Sequence, residues 1–265
     1  MKIKNLSTLL SKIIVLFLII IIGSSCSKGD KEIVSYYENQ KPKLIYYYKT
    51  ENGIKAKVFE QMYYENGKLK YEGAFKNNNK SGKWKFFFED GKKFAACDFT
   101  KNQNGDNWQV YKFDNTILVT EIDKVKNIAF FSEGGLALIR VGDKNLEKEY
   151  KFFPSFKLME ERNYKGNILN GQASSYYENG NINSMNFFKD GMQDSIFVLY
   201  FENGSTQVKG LYKMDNKIGK WEFFKEDGSV DGEEVYSEDG SIIKARDTGM
   251  KYYDKNGKEI IINKI

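Results

Sequence analysis

A repeat of 24 residues is the feature of this sequence that most constrains its fold. Each unit carries two aromatic residues, usually an acidic residue, then Asn or Asp, and Gly. The motif glycines lie 24 positions apart within each of two blocks and are Gly67, Gly91, Gly180, Gly204 and Gly228. A tryptophan stands 17 positions after the preceding motif glycine in three units, at Trp84, Trp108 and Trp221. Two independent marks in one register predict a chain built by stacking similar units side by side.

Each unit has the pattern of two β-strands joined by turns. Asn-Gly and Asp-Gly between aromatic flanks predict a two-residue type I′ hairpin, because both central residues need positive φ. After the tip at Gly67, the apolar residues Leu69, Tyr71 and Phe75 stand at every second position or a multiple of it, with charged residues such as Lys70 and Glu72 between them. This is the two-residue period of a strand with two unlike faces. A looser turn is expected at residues 77–82, and again at 215–219, before Gly-Lys-Trp.

The expected fold class is therefore all-β. Aromatic residues form 15% of the chain, which excludes a disordered protein. The repeats predict an elongated antiparallel β-meander, largely single-layer, preceded by an N-terminal signal helix. Because neighbouring strands lie ~4.8 Å apart, about seven to ten units predict a body roughly 70–100 Å long.

These residues resemble the bacterial variant of the MORN-like repeat family. The family pattern is aromatic-aromatic-x-Asn-Gly, then an aromatic-Lys step, then Gly-Lys-Trp-x-x-aromatic, and the match is closest over residues 63–92 and 176–228. The resemblance implies an extended single-layer antiparallel sheet. Many bacterial members are predicted lipoproteins, and some are regarded as antitoxin components of toxin–antitoxin pairs.

The first 26 residues have the layout of an export signal. A basic start is followed by ten apolar residues at 13–22 and by Gly-Ser-Ser directly before Cys26. Ten helical residues span about 15 Å, half of a bilayer's ~30 Å hydrocarbon core, so a stable transmembrane helix is disfavoured. The segment resembles the lipobox of bacterial lipoproteins, which implies that Cys26 is acylated, becomes the N-terminus and anchors the chain to the membrane. The alternatives to a lipoprotein signal are an ordinary secretion signal and a membrane anchor that is retained.

The composition argues against catalysis and nucleic-acid binding. The chain has no His and only 2 Cys, which removes Ser-His-Asp and Cys-His nucleophiles. We expect no enzyme activity, no cofactor and no metal site. Cys97 is expected to be a small strand residue without a disulfide, since Cys26 would carry lipid. Three of the 41 basic residues lie in residues 1–25, leaving 38 against 36 acidic ones, so no nucleic-acid partner is expected.

The domain organisation follows from the repeat register, which is lost in the middle of the chain. There, either two units have drifted or an insertion divides the sheet. The expected segments are a signal peptide at 1–25, a lipidated tether at 26–35, a first repeat block at 36–115, degenerate or inserted repeats at 116–151, a second block at 152–240 and a C-terminal hairpin cap at 241–265.

Two candidate sites have competing interpretations. Trp84, Trp108 and Trp221 either pack each repeat against its neighbour or form an aromatic face for a glycan, peptide or lipid. The acidic residues between Asp227 and Glu238 have the spacing of an EF-hand calcium loop, but without helical flanks we favour solvated turns.

The expected function is a membrane-tethered, non-catalytic binding or scaffold module. Its partner at the bacterial envelope would be a protein or a glycan, and its location the periplasmic or surface side of the outer membrane. The alternative is an antitoxin or immunity protein that masks a toxin by strand addition at an open sheet edge.

Overall fold

The computed structural model describes residues 29–120, 124–143, 145–246, 252–253 and 259–260. The predicted signal segment and Cys26 lie outside this part of the chain. The first sheet contains eight strands in sequence order: β1 (Asp30–Tyr36), β2 (Pro42–Glu51), β3 (Ile54–Tyr63), β4 (Leu69–Lys76), β5 (Asn79–Phe87), β6 (Lys93–Asp98), β7 (Asp106–Tyr111) and β8 (Ile117–Val119).

A second sheet of 12 strands follows, again with sequential neighbours paired. Its strands are β9 (Val125–Phe130), β10 (Leu136–Gly142), β11 (Glu147–Phe152), β12 (Leu158–Lys165), β13 (Ile168–Tyr176), β14 (Ile182–Lys189), β15 (Met192–Gln193), β16 (Ser195–Tyr200), β17 (Thr206–Lys213), β18 (Asn216–Phe224), β19 (Val230–Tyr236) and β20 (Ile242–Lys244). The short β15 pairs only with β14, and β14 continues to β16. A separate pair joins β21 (Tyr252–Tyr253) to β22 (Glu259–Ile260).

The prediction of an all-β antiparallel meander is confirmed. Every strand pair recorded in the described residues is antiparallel, and no described residue is helical. None of the described segments is a helix of the length and apolarity that crossing a membrane requires. The step from the first sheet to the second falls between Val119 and Val125, inside the segment where the repeat register is lost.

The motif glycines form three-residue tips, and the predicted two-residue type I′ turn is wrong there. The Gly67 N–H donates to the Tyr64 carbonyl at 2.9 Å, and the Tyr64 N–H donates to the Lys68 carbonyl at 2.8 Å. Gly67 has a φ of +87°, whereas Asn66 has no positive φ. This geometry is a type I turn followed by a left-handed glycine, which adds one residue to the tip and shifts the strand register there.

The tight two-residue turns lie at the opposite ends of the strands. Asn77 and Asn78 have φ values of 51° and 61° between β4 and β5, and Met214 and Asp215 have 51° and 66° between β17 and β18. These are the type I′ turns, at the positions where looser turns were expected. Since turns alternate along a meander, each sheet has three-residue tips along one side and mainly tight turns along the other.

The beginning of the second sheet faces the first sheet across a shared aromatic core. The Phe94 ring of β6 stacks on Phe156 with centroids 4.6 Å apart and meets Phe152 of β11 at 4.9 Å. The buried core continues through Phe86, and Tyr71 is hydrogen-bonded to the Glu133 carbonyl on the second sheet. The molecule is therefore two layers thick here, whereas the repeats suggested a largely single-layer sheet. No described residue beyond Tyr176 belongs to this core.

Candidate functional site

The three tryptophans are buried, so the interpretation of an open aromatic face is wrong. Trp84, Trp108 and Trp221 expose 0%, 1% and 1% of their surface. Their neighbours are aromatic rings of the same sheet: Trp84 stacks with Tyr71 at 6.0 Å, and Trp221 stacks with Phe197 at 5.5 Å. They pack the repeats together, which is the other interpretation that the sequence allowed.

Two tryptophans lie flat on a glycine of the preceding strand. A Cβ added to Gly73 would lie 2.0 Å from the Trp84 ring, and one added to Gly210 would lie 2.2 Å from the Trp221 ring. In each case the indole N–H donates to the carbonyl of the residue after the glycine, at 3.1 Å for Trp84 and 3.2 Å for Trp221. Sequence reasoning missed these glycines, although both precede their tryptophan by 11 positions.

A lysine covers each of these rings. Lys80 Nζ lies 3.6 Å from the Trp84 centroid, and Lys217 Nζ lies 4.5 Å from the Trp221 centroid. Burial lowers the pKa of Lys80 to about 8, since the ammonium loses hydration between the two sheets. The lysine and the glycine together explain how the large Trp221 indole is fully buried outside the two-layer core, whereas Trp84 is also part of the core between the two sheets.

The third tryptophan departs from this arrangement. The residue 11 positions before Trp108 is Cys97, which is 4% exposed and unpaired with any other cysteine. The Trp108 N–H donates instead to the Asn104 carbonyl, at 2.9 Å. Burial raises the pKa of the Cys97 thiol, which makes it a poor nucleophile.

The acidic residues of the possible calcium loop do not converge. Asp227 accepts hydrogen bonds from the backbone N–H and hydroxyl of Ser229, at 2.8 and 2.6 Å. Asp231 pairs with Arg246, and Glu238 pairs with Lys213 at 2.8 Å. Each carboxylate is thus held by a different part of the sheet, as expected for turns and strand ends.

The tips of successive repeats are joined by hydrogen bonds. The Asn66 side-chain amide donates to the Glu89 carbonyl of the next tip at 3.1 Å, and Asn179 donates to the Glu202 carbonyl at 3.0 Å. Tyrosine hydroxyls make a parallel set of bonds, such as Tyr64 to the Phe87 carbonyl at 2.8 Å. The tips of each sheet therefore form an ordered row, which we call the tip row.

A cleft opens along the tip row where the first sheet ends and the second continues. We call it the step cleft; its volume is about 360 Å³. Three tips contribute to it, those after β7, β11 and β13. Its lining residues are Lys112, Phe113, Asp114, Lys157, Leu158, Tyr176, Asn179, Gly180 and Asn181.

Aromatic rings and lysines line the step cleft together. Phe113 is 42% exposed and packs edge-on against Phe88, with centroids 5.2 Å apart. Lys157 Nζ lies 5.6 Å from the Phe113 centroid, and Lys112 Nζ lies 5.4 Å from the Tyr176 centroid. Neither lysine has an ion pair within 4.0 Å among the described residues.

The acidic and tyrosine side chains of the cleft keep fixed protonation states. The Thr116 backbone N–H donates to Asp114 at 2.8 Å, which lowers the pKa of that carboxyl, so Asp114 is ionised at neutral pH. Burial raises the pKa of the Tyr176 hydroxyl, which therefore remains neutral. The cleft thus offers two ammonium groups, one carboxylate and neutral hydrogen-bonding groups around aromatic walls.

The step cleft was not predicted from the sequence, although a signal was present. Two of its three tips depart from the Asn-Gly motif: Asn115 and Phe156 adopt φ values of 68° and 69° where the regular tips have glycine. In the structure they mark the place where the two sheets meet.

Two segments of the chain match a known repeat family. Residues 60–77 and 169–190 match the MORN repeat variant. The first covers the end of β3 and all of β4, and the second covers most of β13 and all of β14. These two segments of the chain are MORN-like repeats. No curated protein matches its sequence.

The solved structures that match this chain belong to much longer chains. They include "Crystal Structure of TcdB2-TccC3-TEV", with 10% identity and a TM-score of 0.18 over 86% of this chain and 15% of that chain. Another is "Structure of Photorhabdus luminescens Tc holotoxin pore, Mutation TccC3-D651A", with 9% identity and a TM-score of 0.20 over 90% of this chain and 14% of that chain. At these TM-scores the likeness carries no argument about fold or function.

Proposed function

We propose that this protein is a lipid-anchored, non-catalytic binding module of the bacterial envelope whose partner contacts the step cleft. The observation that carries the proposal is the cleft itself: an open, 360 Å³ site with an exposed aromatic ring and two lysines lacking an ion pair in the described structure. Ligand sites typically combine apolar walls with a few placed polar groups, at volumes of about 300–1,000 Å³. The proposed anchor is Cys26, after the basic start and apolar run of the sequence.

The repeat architecture supports a binding role. Buried tryptophans pack the repeats, and hydrogen bonds join the cleft tip at 177–181 to the next tip, which restrains that wall of the cleft before a partner arrives. A preorganised surface binds with a smaller entropy cost than a flexible one.

The anchor is tested by metabolic labelling of the full chain with an alkyne-bearing palmitate in a bacterial host. We expect label and membrane fractionation in the parent and in Cys97→Ala, and loss of both in Cys26→Ala. The two variants are a matched control because these are the chain's 2 cysteines. Retention of label in Cys26→Ala would refute the anchor.

The binding role is tested by affinity purification of the full chain from native membranes. We expect an envelope component that is retained by the parent and lost with Phe113→Ala, and retained again with the control Lys41→Gln. Recovery of the same components by the Phe113→Ala variant would contradict the placement of the partner at the cleft.

A second candidate is an antitoxin or immunity protein acting by strand addition. The observation favouring it is β1, an edge strand that pairs with β2 alone among the described strands. An added strand would protect the outward N–H groups of β1 from hydrogen exchange. Partner-dependent protection of β1 would support this candidate, and protection confined to the three tips of the cleft would reject it.

A further inference from the structure

We infer that the step cleft binds a uronic-acid unit of an acidic polysaccharide. This inference rests on the proposed function and specifies the chemistry of its partner. It follows from three features that coincide in one cleft: an exposed aromatic face, a pair of ammonium groups, and side-chain oxygens suited to hydroxyl groups.

The aromatic walls fit the apolar face of a sugar ring. A pyranose presents a flat surface of C–H groups that packs on an aromatic ring. Phe113 is 42% exposed, and Lys92 Nζ lies 4.5 Å from its centroid, so a sugar would pack on the part of the ring that this ammonium group leaves open. Phe88 packs edge-on against Phe113 with centroids 5.2 Å apart, which restrains the ring and reduces the entropy lost on binding. Tyr176 supplies a second, more buried wall.

The lysines fit a carboxylate on that ring. Several lysines elsewhere on the second sheet have an acidic partner: Lys209 lies 3.0 Å from Glu222, and Lys220 lies 2.7 Å from Glu233. In the step cleft, Lys112 and Lys157 have no such partner within the described part of the chain. A ligand carboxylate would supply one, through charge-assisted hydrogen bonds that are stronger than neutral ones.

The remaining polar groups distinguish a sugar from a simple anion. Asp114 brings a carboxylate into the same cleft, which can accept hydrogen bonds from the hydroxyl groups of a sugar. Asn181 already donates its backbone and side-chain N–H groups to Asn179 and Glu202. Its side-chain amide oxygen is the group that can accept a hydrogen bond from a ligand hydroxyl. A ligand with both a carboxylate and several hydroxyls satisfies this mixture.

The position of the cleft favours a polymer. It opens onto the tip row, and the next tips along the second sheet continue at 201–205 and 225–229. Asn203 joins them by donating to the Glu226 carbonyl at 3.3 Å. A saccharide chain that enters the cleft with one unit can follow this row with its neighbours.

The test uses the purified full chain in detergent and two matched probes. The first is a short oligogalacturonate, and the second is the same oligomer with its carboxylates methyl-esterified, which keeps the rings and removes the charge. We expect calorimetric binding of the first probe, about tenfold weaker binding of the second, and weakening of the first by higher salt.

Variants then assign the contacts. Lys112→Gln, Lys157→Gln and Phe113→Ala should each weaken oligogalacturonate binding about tenfold, with unchanged circular dichroism. Lys41→Gln is the matched control, because Lys41 occupies the same tip position as Lys157 in the first repeat and is exposed. Equal affinity for the two oligomers, or unchanged affinity in all three cleft variants, would overturn the inference.

Failure of the inference can be told apart from failure of the proposed function. An envelope protein that requires Phe113 while oligogalacturonate does not bind would refute the acidic sugar and leave the binding module standing. Phosphatidylglycerol vesicles that bind with the same lysine dependence, in place of the oligomer, would also refute the sugar. Partner capture independent of all three cleft residues would refute the proposed function itself.

Discussion

Substituting Gly210 by Ala tests whether the flat packing of a tryptophan on a glycine stabilises the repeat. The new Cβ would lie 2.2 Å from the Trp221 ring, whereas carbon atoms pack at about 3.5–4.0 Å, so the ring must move by more than about 1 Å. That displacement disturbs the stacking on Phe197 and the 3.2 Å hydrogen bond to the Leu211 carbonyl. Overpacking of about 1–3 kcal/mol and a lost hydrogen bond of about 1 kcal/mol predict a loss near 3 kcal/mol.

A double-mutant cycle isolates the cause of that loss. We expect Gly210→Ala to cost about 3 kcal/mol in the parent and close to zero in a Trp221→Ala background, because the clash is then absent. Trp221→Ala alone should cost about 3–5 kcal/mol. The assay is urea unfolding followed by far-ultraviolet circular dichroism, since tryptophan fluorescence changes with the substitution.

The tip glycine Gly204 provides the matched control. Its φ is +89° and no atom lies within 4 Å of an added Cβ, so Gly204→Ala should cost about 1–2 kcal/mol from backbone strain alone, equally in both backgrounds. A cost for Gly210→Ala that is likewise independent of Trp221 would refute the packing argument.

Three further predictions concern turns, charge and the buried thiol. Met214→Asn should stabilise the fold by about 0.5–1 kcal/mol in urea unfolding, because Met214 is exposed and has a φ of 51°, which Asn tolerates better; a destabilised variant would contradict this. Lys220 and Lys244 lower the pKa of Glu233 from 4.5 to about 2, so its contribution is complete above pH 4.5 and is lost as the pH falls toward 2. The stability gap between the parent and Glu233→Gln should therefore be constant above pH 4.5 and close below it, and a gap that persists at pH 2 would disprove the pairing. Cys97 should resist iodoacetamide in the native chain and react fully in urea, as peptide mapping would show; native labelling would contradict its burial.

The sequence predicted the strand order well because each repeat is a pair of strands joined by a short turn, which makes sequence neighbours pair in the sheet. Each Asn-Gly or Asp-Gly marks a tip, and the alternation after Gly67 defines a strand that pairs with its sequence neighbours. The turn type was wrong because Asn-Gly also suits a type I turn with a left-handed glycine, which needs positive φ at only one residue. Strand patterns alone do not separate the two loops, since they differ by a single residue in register.

The two-layer core and the step cleft depend on contacts between distant parts of the chain. Phe94 and Phe156 look like ordinary aromatic strand and tip residues until the second sheet folds over the first. Trp84 and Trp221 pack on neighbours of the same sheet, and the glycines 11 positions before them were the sequence signal for that packing. Lys112 and Lys157 are separated by 45 positions, and nothing in their local sequence indicates that they share a cleft.

The most direct measurement is photo-cross-linking from the step cleft in living cells. A benzophenone amino acid at position 113 of the full chain, with the exposed position 36 at the end of β1, just before the first tip, as control, is irradiated and its adducts are identified by mass spectrometry. We predict adducts at position 113 that contain uronic-acid oligosaccharide and none of that composition at position 36. Sugar-free protein adducts at position 113, or an equal yield of the same glycan at both positions, would contradict the account.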